Sequence, residues 1–186
     1  MTSRGPRPAA PGVSAEKDIE AMIRVDHAGE YGAVRIYEGQ LAVFNARNST
    51  SKAADAIRAM AQAEERHLKT FDRLVTERKV RPTALEPVWR IAGFALGAAT
   101  ALMGEKAAMA CTAAVEEVID EHYASQLTRL GGDAELKQTV EEFRGEEIAH
   151  RDEALAHGAE QAPGYRLLSD AIKSGCRLAI KLSERI

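Results

Sequence analysis

Two copies of the pattern Glu-x-x-His stand out in the sequence, Glu64–His67 and Glu147–His150. On a helix, a step of three places both side chains on one face, so a carboxylate oxygen and an imidazole nitrogen can reach a single cation. Two more glutamates, Glu30 and Glu116, fall at matching heights in the segments that precede each copy. Four carboxylates and two imidazoles suit iron or manganese; zinc prefers fewer and softer ligands. Asp26, His27, Asp120, His122 and Tyr123 lie within about a turn of these positions. A metal-bound histidine usually gives its free N–H to a carboxylate, and Asp26 or Asp120 is expected to take it. Glu65, Glu117, Glu146 and His157 are expected to be solvated.

Such a site needs rigid elements that face one another, and the periodicity supplies helices. Ser14 is the expected N-cap of a first helix running to about Ala46, stopped by the polar stretch Asn45–Ser51. A second helix is expected from about Lys52 to Lys79, ended by Arg81-Pro82 and Glu86-Pro87. The apolar segment 88–103 follows, then helices from about Glu105 to Leu130, Ala134 to His157, and Tyr165 to the C-terminus. Gly131-Gly132 and Gly158 are typical residues past a helix end.

At alternating steps of four and three, the first helix presents Ile23, His27, Glu30, Val34, Tyr37, Leu41 and Phe44. The second presents Ile57, Met60, Glu64, His67, Phe71 and Leu74. The next long helix presents Met109, Ala113, Glu116, Asp120, Tyr123, Leu127 and Leu130, and its partner Leu136, Val140, Phe143, Glu147, His150 and Ala154. These are bundle seams. Each carries a carboxylate among apolar residues, which is prohibitively costly unless something compensates the charge, and a metal pair does so. The pattern is the one known from ferritin-like di-iron and di-manganese proteins. Height matching supports it. The midpoint of Glu30 and Glu64 is position 47, inside the first turn, and that of Glu116 and Glu147 falls between Gly131 and Gly132. Both hairpins thereby bring their glutamates level, as two similar halves would.

Composition fits this picture. Of 186 residues, 45% are hydrophobic and 28% charged, and the net charge of −3 gives no reason to expect nucleic acid as a partner. Cys111 and Cys176 are too few for a disulfide framework, so a reducing compartment is expected. Residues 1–13 are expected to be a disordered tail, without the apolar core of a secretory signal, and 14–186 a single domain. The uncharged run Ile91–Gly104 covers 14 residues, short of the roughly 20 a membrane span needs, and reads as a buried or interfacial helix. The last helix carries Lys173, Arg177, Lys181 and Arg185 at steps of four, a basic stripe expected opposite Ile172, Leu178, Ala179 and Leu182.

The motifs RVDHAGEYGA (24–33), AEERHL (63–68), RPT (81–83), WRIAGFALGAATALMG (89–104), ACTAAVEEVIDEHY (110–123), FRGEEIAHRD (143–152) and GCRLAIKLSERI (175–186) resemble the demethoxyubiquinone hydroxylase family. The resemblance runs from about Ile19 to the C-terminus. It implies an all-α, ferritin-like four-helix bundle with an apolar interfacial segment and an additional C-terminal helix. It also implies an O2-dependent di-iron monooxygenase that hydroxylates the unsubstituted ring carbon of a polyprenyl methoxy-methyl-benzoquinol. The implied metal ligands are Glu30, Glu64, His67, Glu116, Glu147 and His150. Glu64 and Glu147 would bridge two irons, with Glu30 and His67 completing one and Glu116 and His150 the other.

His122 and Tyr123 are implied in electron or proton handling near the quinone. The expected setting is the membrane surface, peripheral and on the cytoplasmic face of the cell membrane. Other ubiquinone-biosynthesis proteins and further copies of the chain are the partners such a protein would meet. No nucleotide-binding fingerprint appears, so electrons are expected from a partner, from transient NADH or from the quinol. Three rival readings remain at this point. Cage assembly and mineral loading would identify an iron store, oxygen release from peroxide a manganese catalase, and absence of bound iron a metal-free bundle.

Overall fold

The computed structural model describes residues 15–186; the expected Ser14 cap and the expected tail lie outside them. Among the described residues every regular element is helical: α1 (Ala15–Ala46), α2 (Lys52–Glu77), α3 (Glu86–Met103), α4 (Glu105–Leu127), α5 (Ala134–Ala156), a 3-10 turn (Ala159–Gln161) and α6 (Tyr165–Ser183). Helices α1, α2, α4 and α5 form a ferritin-like bundle, and α3 and α6 pack outside it against α1 and α4.

Local signals set the ends. Ser51 Oγ accepts from the Ala54 N–H at 3.1 Å, and Asp133 Oδ1 from the Leu136 N–H at 3.0 Å, capping α2 and α5. Pro87 sits in the first turn of α3, where its missing N–H costs nothing. Helix α2 stops at Glu77, short of the expected Lys79, which turns left-handed at φ 53°. Helix α4 stops at Leu127, short of the expected Leu130. The Gln126 carbonyl there accepts from Arg129 and Leu130, closing a turn. Helix α6 ends at Ser183, and the Ile186 carbonyl accepts from the Ala84 N–H at 3.2 Å, tying the last residue to the loop before α3.

The bundle core has two apolar ends. Phe44, Ile57, Met60 and Met109 fill one; Ile23, Phe71, Leu74, Leu136, Val140 and Phe143 fill the other. The expected seam residues are buried throughout, apart from the partly covered Leu41, Asp120, Leu127 and His150.

Helix α3 lies unusually close to α1, and glycines make this possible. A Cβ at Gly97 would sit 1.9 Å from the Ile36 carbonyl oxygen, one at Gly39 2.1 Å from that of Phe94, and one at Gly93 2.9 Å from that of Gly32. Spaced small residues that let two backbones meet are a device common in lipid-exposed helix pairs. The opposite face of α3 is unpartnered: Val88, Ile91 (72% exposed), Phe94, Leu102 and Met103 face outward, as do Leu167 (79%) and Leu178 of α6. No helix among the described residues is long and apolar enough to cross a membrane.

Candidate metal centre and adjoining cavity

Between the two apolar ends of the core, the bundle helices converge on six polar side chains. Glu30, Glu64, Glu116, Glu147 and His67 are at most 1% exposed. Two groups of donor atoms form, each within 4.8 Å: Glu30, Glu64, His67 and Glu147, and then Glu64, Glu116, Glu147 and His150. His67 Nδ1 lies 3.1 Å from Glu147, 3.5 Å from Glu30 and 3.7 Å from Glu64. His150 Nδ1 lies 3.1 Å from Glu64 and 3.3 Å from Glu147. The six residues singled out in the sequence are thus brought together.

Their remaining hydrogen-bond capacity divides them by kind. Glu30 Oε1 accepts from the Tyr123 hydroxyl, and Glu116 Oε1 from the Tyr37 hydroxyl at 2.7 Å. The other oxygen of each is buried and unpartnered. Glu64 and Glu147, which belong to both groups, have both oxygens buried and unpartnered, as have His67 and His150 their Nδ1. Eight inward-facing donor atoms without a protein partner would be ruinous in a bare core. The cluster fits a metal centre.

The titration behaviour of the metal-free cluster follows from crowding. Burial raises the Glu30 carboxyl to about 8, helped by the charges of Glu64 and Glu147 against the attraction of the nearby His67 imidazole. Burial and the charges of Glu147 and Glu64 lift Glu116 as well. Burial also works against Glu64, but the facing imidazoles of His150 and His67 prevail and bring it down to about 2. Desolvation depresses both imidazoles, yet their carboxylate neighbours outweigh it. His150 rises to about 9 and His67 rises as well. The folded chain therefore holds protons where cations would sit.

The surrounding polar residues depart from expectation. His67 Nε2 meets Glu146 Oε2 at 2.9 Å, and Arg66 braces that carboxylate from outside. Glu146 is thus no solvated residue; it faces Arg66 and His67 of α2. Asp120 is held by Arg144 at 2.6 Å and Arg151, and touches neither histidine of the cluster. Asp26 instead accepts from Gln126 at 2.6 Å and meets His122 Nε2 at 3.1 Å. Burial raises the Asp26 carboxyl, against those bonds and the charge of Arg129. His27 meets Asp72 at 2.9 Å. Glu117 is not free either: Lys173 binds it at 2.6 Å. His157 pairs with Glu153 at 3.0 Å, while Glu65 stays exposed beside Lys69. Nothing in the sequence marks Tyr37 or Gln126 as polar partners of the site. Tyr37 read only as a seam residue, and the register of α1 against α4 is what aims its hydroxyl.

A cavity of about 580 Å3 lies beside the cluster, between α1, α3, α4 and α6. Small-molecule pockets span about 300–1,000 Å3. Its walls are mainly apolar, with Asp26, Glu30, His122 and Tyr123 gathered at one end. Ala92 of α3 and Gly175 and Leu178 of α6 line it and are themselves exposed, so it opens between these two helices.

Fold and site together define a ferritin-like helical protein with a buried carboxylate–histidine centre and an apolar cavity leading to it. The family model described as "Ubiquinone biosynthesis protein COQ7" matches residues 17–183, and the chain belongs to that family. It is 57% identical over 169 residues to the 3-demethoxyubiquinol 3-hydroxylase of Rhodospirillum rubrum, covering 90% of this chain and 78% of that protein. It is 49% identical over 173 residues to the mitochondrial NADPH-dependent 3-demethoxyubiquinone 3-hydroxylase of Homo sapiens, covering 90% and 78%. The Caenorhabditis elegans protein of the same description is 42% identical over 191 residues, covering 100% and 98%.

Proposed function

We propose that this chain is the hydroxylase of its family: a di-iron monooxygenase that uses O2 to hydroxylate the ring of a polyprenyl demethoxyubiquinol. The observation that carries the reading is the set of eight unpartnered donor atoms on Glu30, Glu64, His67, Glu116, Glu147 and His150. When bound, a pair of iron ions supplies the electron transfer and oxygen chemistry that no side chain in the cavity can supply.

The chain's own part is positioning. Glu64 and Glu147, with both oxygens uncommitted and a place in each group, suit bridging roles. Glu30 and Glu116 each have one oxygen committed to a tyrosine hydroxyl, which leaves one for a terminal role. Glu146 accepts the Nε2 proton of His67, which leaves Nδ1 as the lone-pair nitrogen facing the cluster. The cavity binds the ring beside Glu30, His122 and Tyr123, and its apolar walls exclude water from the reacting carbon. The polyprenyl tail leaves between α3 and α6, where the outer faces expose Ile91, Phe94, Leu167 and Leu178. A lipid surface suits such a tail and these side chains, on the cytoplasmic face in a bacterial cell.

The decisive test is a single-turnover experiment on the full chain. Protein loaded anaerobically with ferrous iron is given a short-tailed demethoxy-hydroquinone and then 18O2. Two irons per chain and one labelled oxygen in the ring product are expected. Iron binding with label found only in water would leave an iron protein that is not this hydroxylase.

A further inference from the structure

At the polar end of the cavity three side chains form a closed triangle. His122 Nε2 is 3.1 Å from Asp26 Oδ1, Gln126 Nε2 is 2.6 Å from the same oxygen, and the two nitrogens are 2.9 Å apart. Asp26 and Gln126 are fully buried, while His122 keeps 13% of its side chain open and lines the cavity. An amide nitrogen can only donate, so the Gln126–His122 contact is no bond unless His122 Nε2 carries a lone pair. A lone pair there would face the Asp26 carboxylate. The arrangement that satisfies both nitrogens has each donating to Asp26 Oδ1, with the His122 proton on Nε2. The other ring nitrogen, Nδ1, then carries the lone pair. It has no hydrogen-bond partner among the described residues and is not sealed in the interior.

Resting on the reading that the cavity holds the substrate ring, we infer that Asp26 and Gln126 are positioning residues for His122. They fix it as the Nε2–H tautomer, so that Nδ1 accepts a hydrogen bond from a ring hydroxyl and the site selects the hydroxyl-bearing ring over its carbonyl form. The names of the relatives differ on this point, ubiquinol for the Rhodospirillum rubrum protein and ubiquinone for the Homo sapiens one. A hydroxyl offers the proton that Nδ1 needs. A quinone carbonyl sets a second lone pair against it, leaving both acceptors unpaired in an apolar pocket. The remaining polar groups at this end cannot substitute: the Tyr123 hydroxyl is committed to Glu30, Asp26 Oδ1 already takes two donors, and the unpartnered Asp26 Oδ2 and Gln126 Oε1 are sealed from the cavity. Selection thus passes through one imidazole nitrogen, and the buried pair behind it decides which nitrogen that is.

The test uses a redox-inert probe pair, a short-tailed methoxy-methylphenol and its O-methyl ether, titrated into the full chain as purified and kept anaerobic. The chain's single tryptophan, Trp89, lines the cavity, so its fluorescence reports occupancy. The phenol should bind about tenfold more tightly than the ether in the unaltered protein, the effect of one hydrogen bond. Asp26→Leu should bring the ratio close to one with ether affinity held within about twofold, whereas a merely structural defect would weaken both probes alike. Asp26→Asn should restore the ratio, because its amide oxygen still accepts from both nitrogens. If Asp26→Leu does not fold, Gln126→Leu, which frees the carboxylate to swing, should lower the ratio in the same direction. Equal affinities in the unaltered protein, or a ratio that Asp26→Leu and Gln126→Leu leave untouched, would overturn the inference alone. Failure of both probes to alter Trp89 fluorescence would overturn the cavity as ring site, and the inference with it.

Discussion

Replacing Gly97 by alanine should prise α3 from α1. The added Cβ would stand 1.9 Å from the Ile36 carbonyl oxygen, 2.8 Å from its carbon and 3.0 Å from its Cα. All three are backbone atoms inside a helix, so no side chain can rotate away. Reaching ordinary contact at 3.4 Å requires the helices to open locally by about 1.5 Å. Overpacking typically costs about 1–3 kcal/mol, and an unyielding backbone neighbour puts Gly97→Ala at the upper end, about 3 kcal/mol. For a chain of this size that is a fall of about 6–12 °C in thermal midpoint. The matched control is Gly145→Ala in α5, where nothing lies within 4 Å of the added atom. Removing a helical glycine there should stabilise by up to about 1 kcal/mol. Circular dichroism melts of the three proteins at equal iron loading measure this. A Gly97→Ala midpoint equal to that of the unaltered protein would refute the reasoning, because it would mean that the α1–α3 contact yields freely. The same opening should loosen the cavity wall at Gly93 and Leu96 and weaken binding of ring probes.

Four further outcomes are expected. Glu64→Ala and Glu147→Ala should each lose iron while remaining helical, measured by metal content and circular dichroism. Metal-free Glu64→Ala should be less stable than the unaltered metal-free protein, since its carboxylate answers the buried imidazoles of His67 and His150. Glu146→Ala should weaken iron affinity by about 10–100-fold through His67, whereas Glu65→Ala, exposed beside Lys69, should leave it unchanged; a competing chelator titration separates the two. The metal-free protein should be most stable near pH 4.5, where the Glu30 and Glu64 contributions meet at the ordinary glutamate value. The raised pKa of Glu30 gives stability that is lost as pH rises from about 4.5 to about 8, and that of His150 stability lost from about 6.5 to about 9. The depressed value of Glu64, about 2, gives stability that is lost as pH falls toward it. Denaturant melts across pH on chelator-treated protein check this, and iron affinity should climb over the alkaline interval as those protons are displaced. Finally, Lys181→Glu with Arg185→Glu should weaken salt-sensitive binding to anionic vesicles by about 1 kcal/mol per reversed charge or more, read by co-sedimentation; unchanged binding would place the contact on the apolar faces alone.

That last experiment is narrower than the sequence suggests. Four cations at steps of four read as one solvated stripe, but Lys173 and Arg177 reach down to Glu117 and Glu121 of α4. They help dock α6, and reversing them would disturb packing as well as surface charge. Lys181 and Arg185 have no ion-pair partner among the described residues and carry the electrostatic argument.

Spacing along one chain is enough to place the helices, their seams and the level of six donor residues. Glu-x-x-His fixes a face, and a hairpin turn midway between two glutamates fixes their height. What a one-dimensional pattern cannot carry is which off-seam residue meets a neighbour, since that depends on the rotation of one helix against another. Glu146 turned out to hold His67, Asp120 to serve two arginines, and Asp26 to serve His122. Tyr37 looked like core until its hydroxyl met Glu116. The placement of α3 and α6 was likewise a tertiary decision. An apolar α3 and an amphipathic α6 could each lie in several places, and the glycine contacts with α1 and the ion pairs with α4 select the one that leaves a cavity beside the cluster.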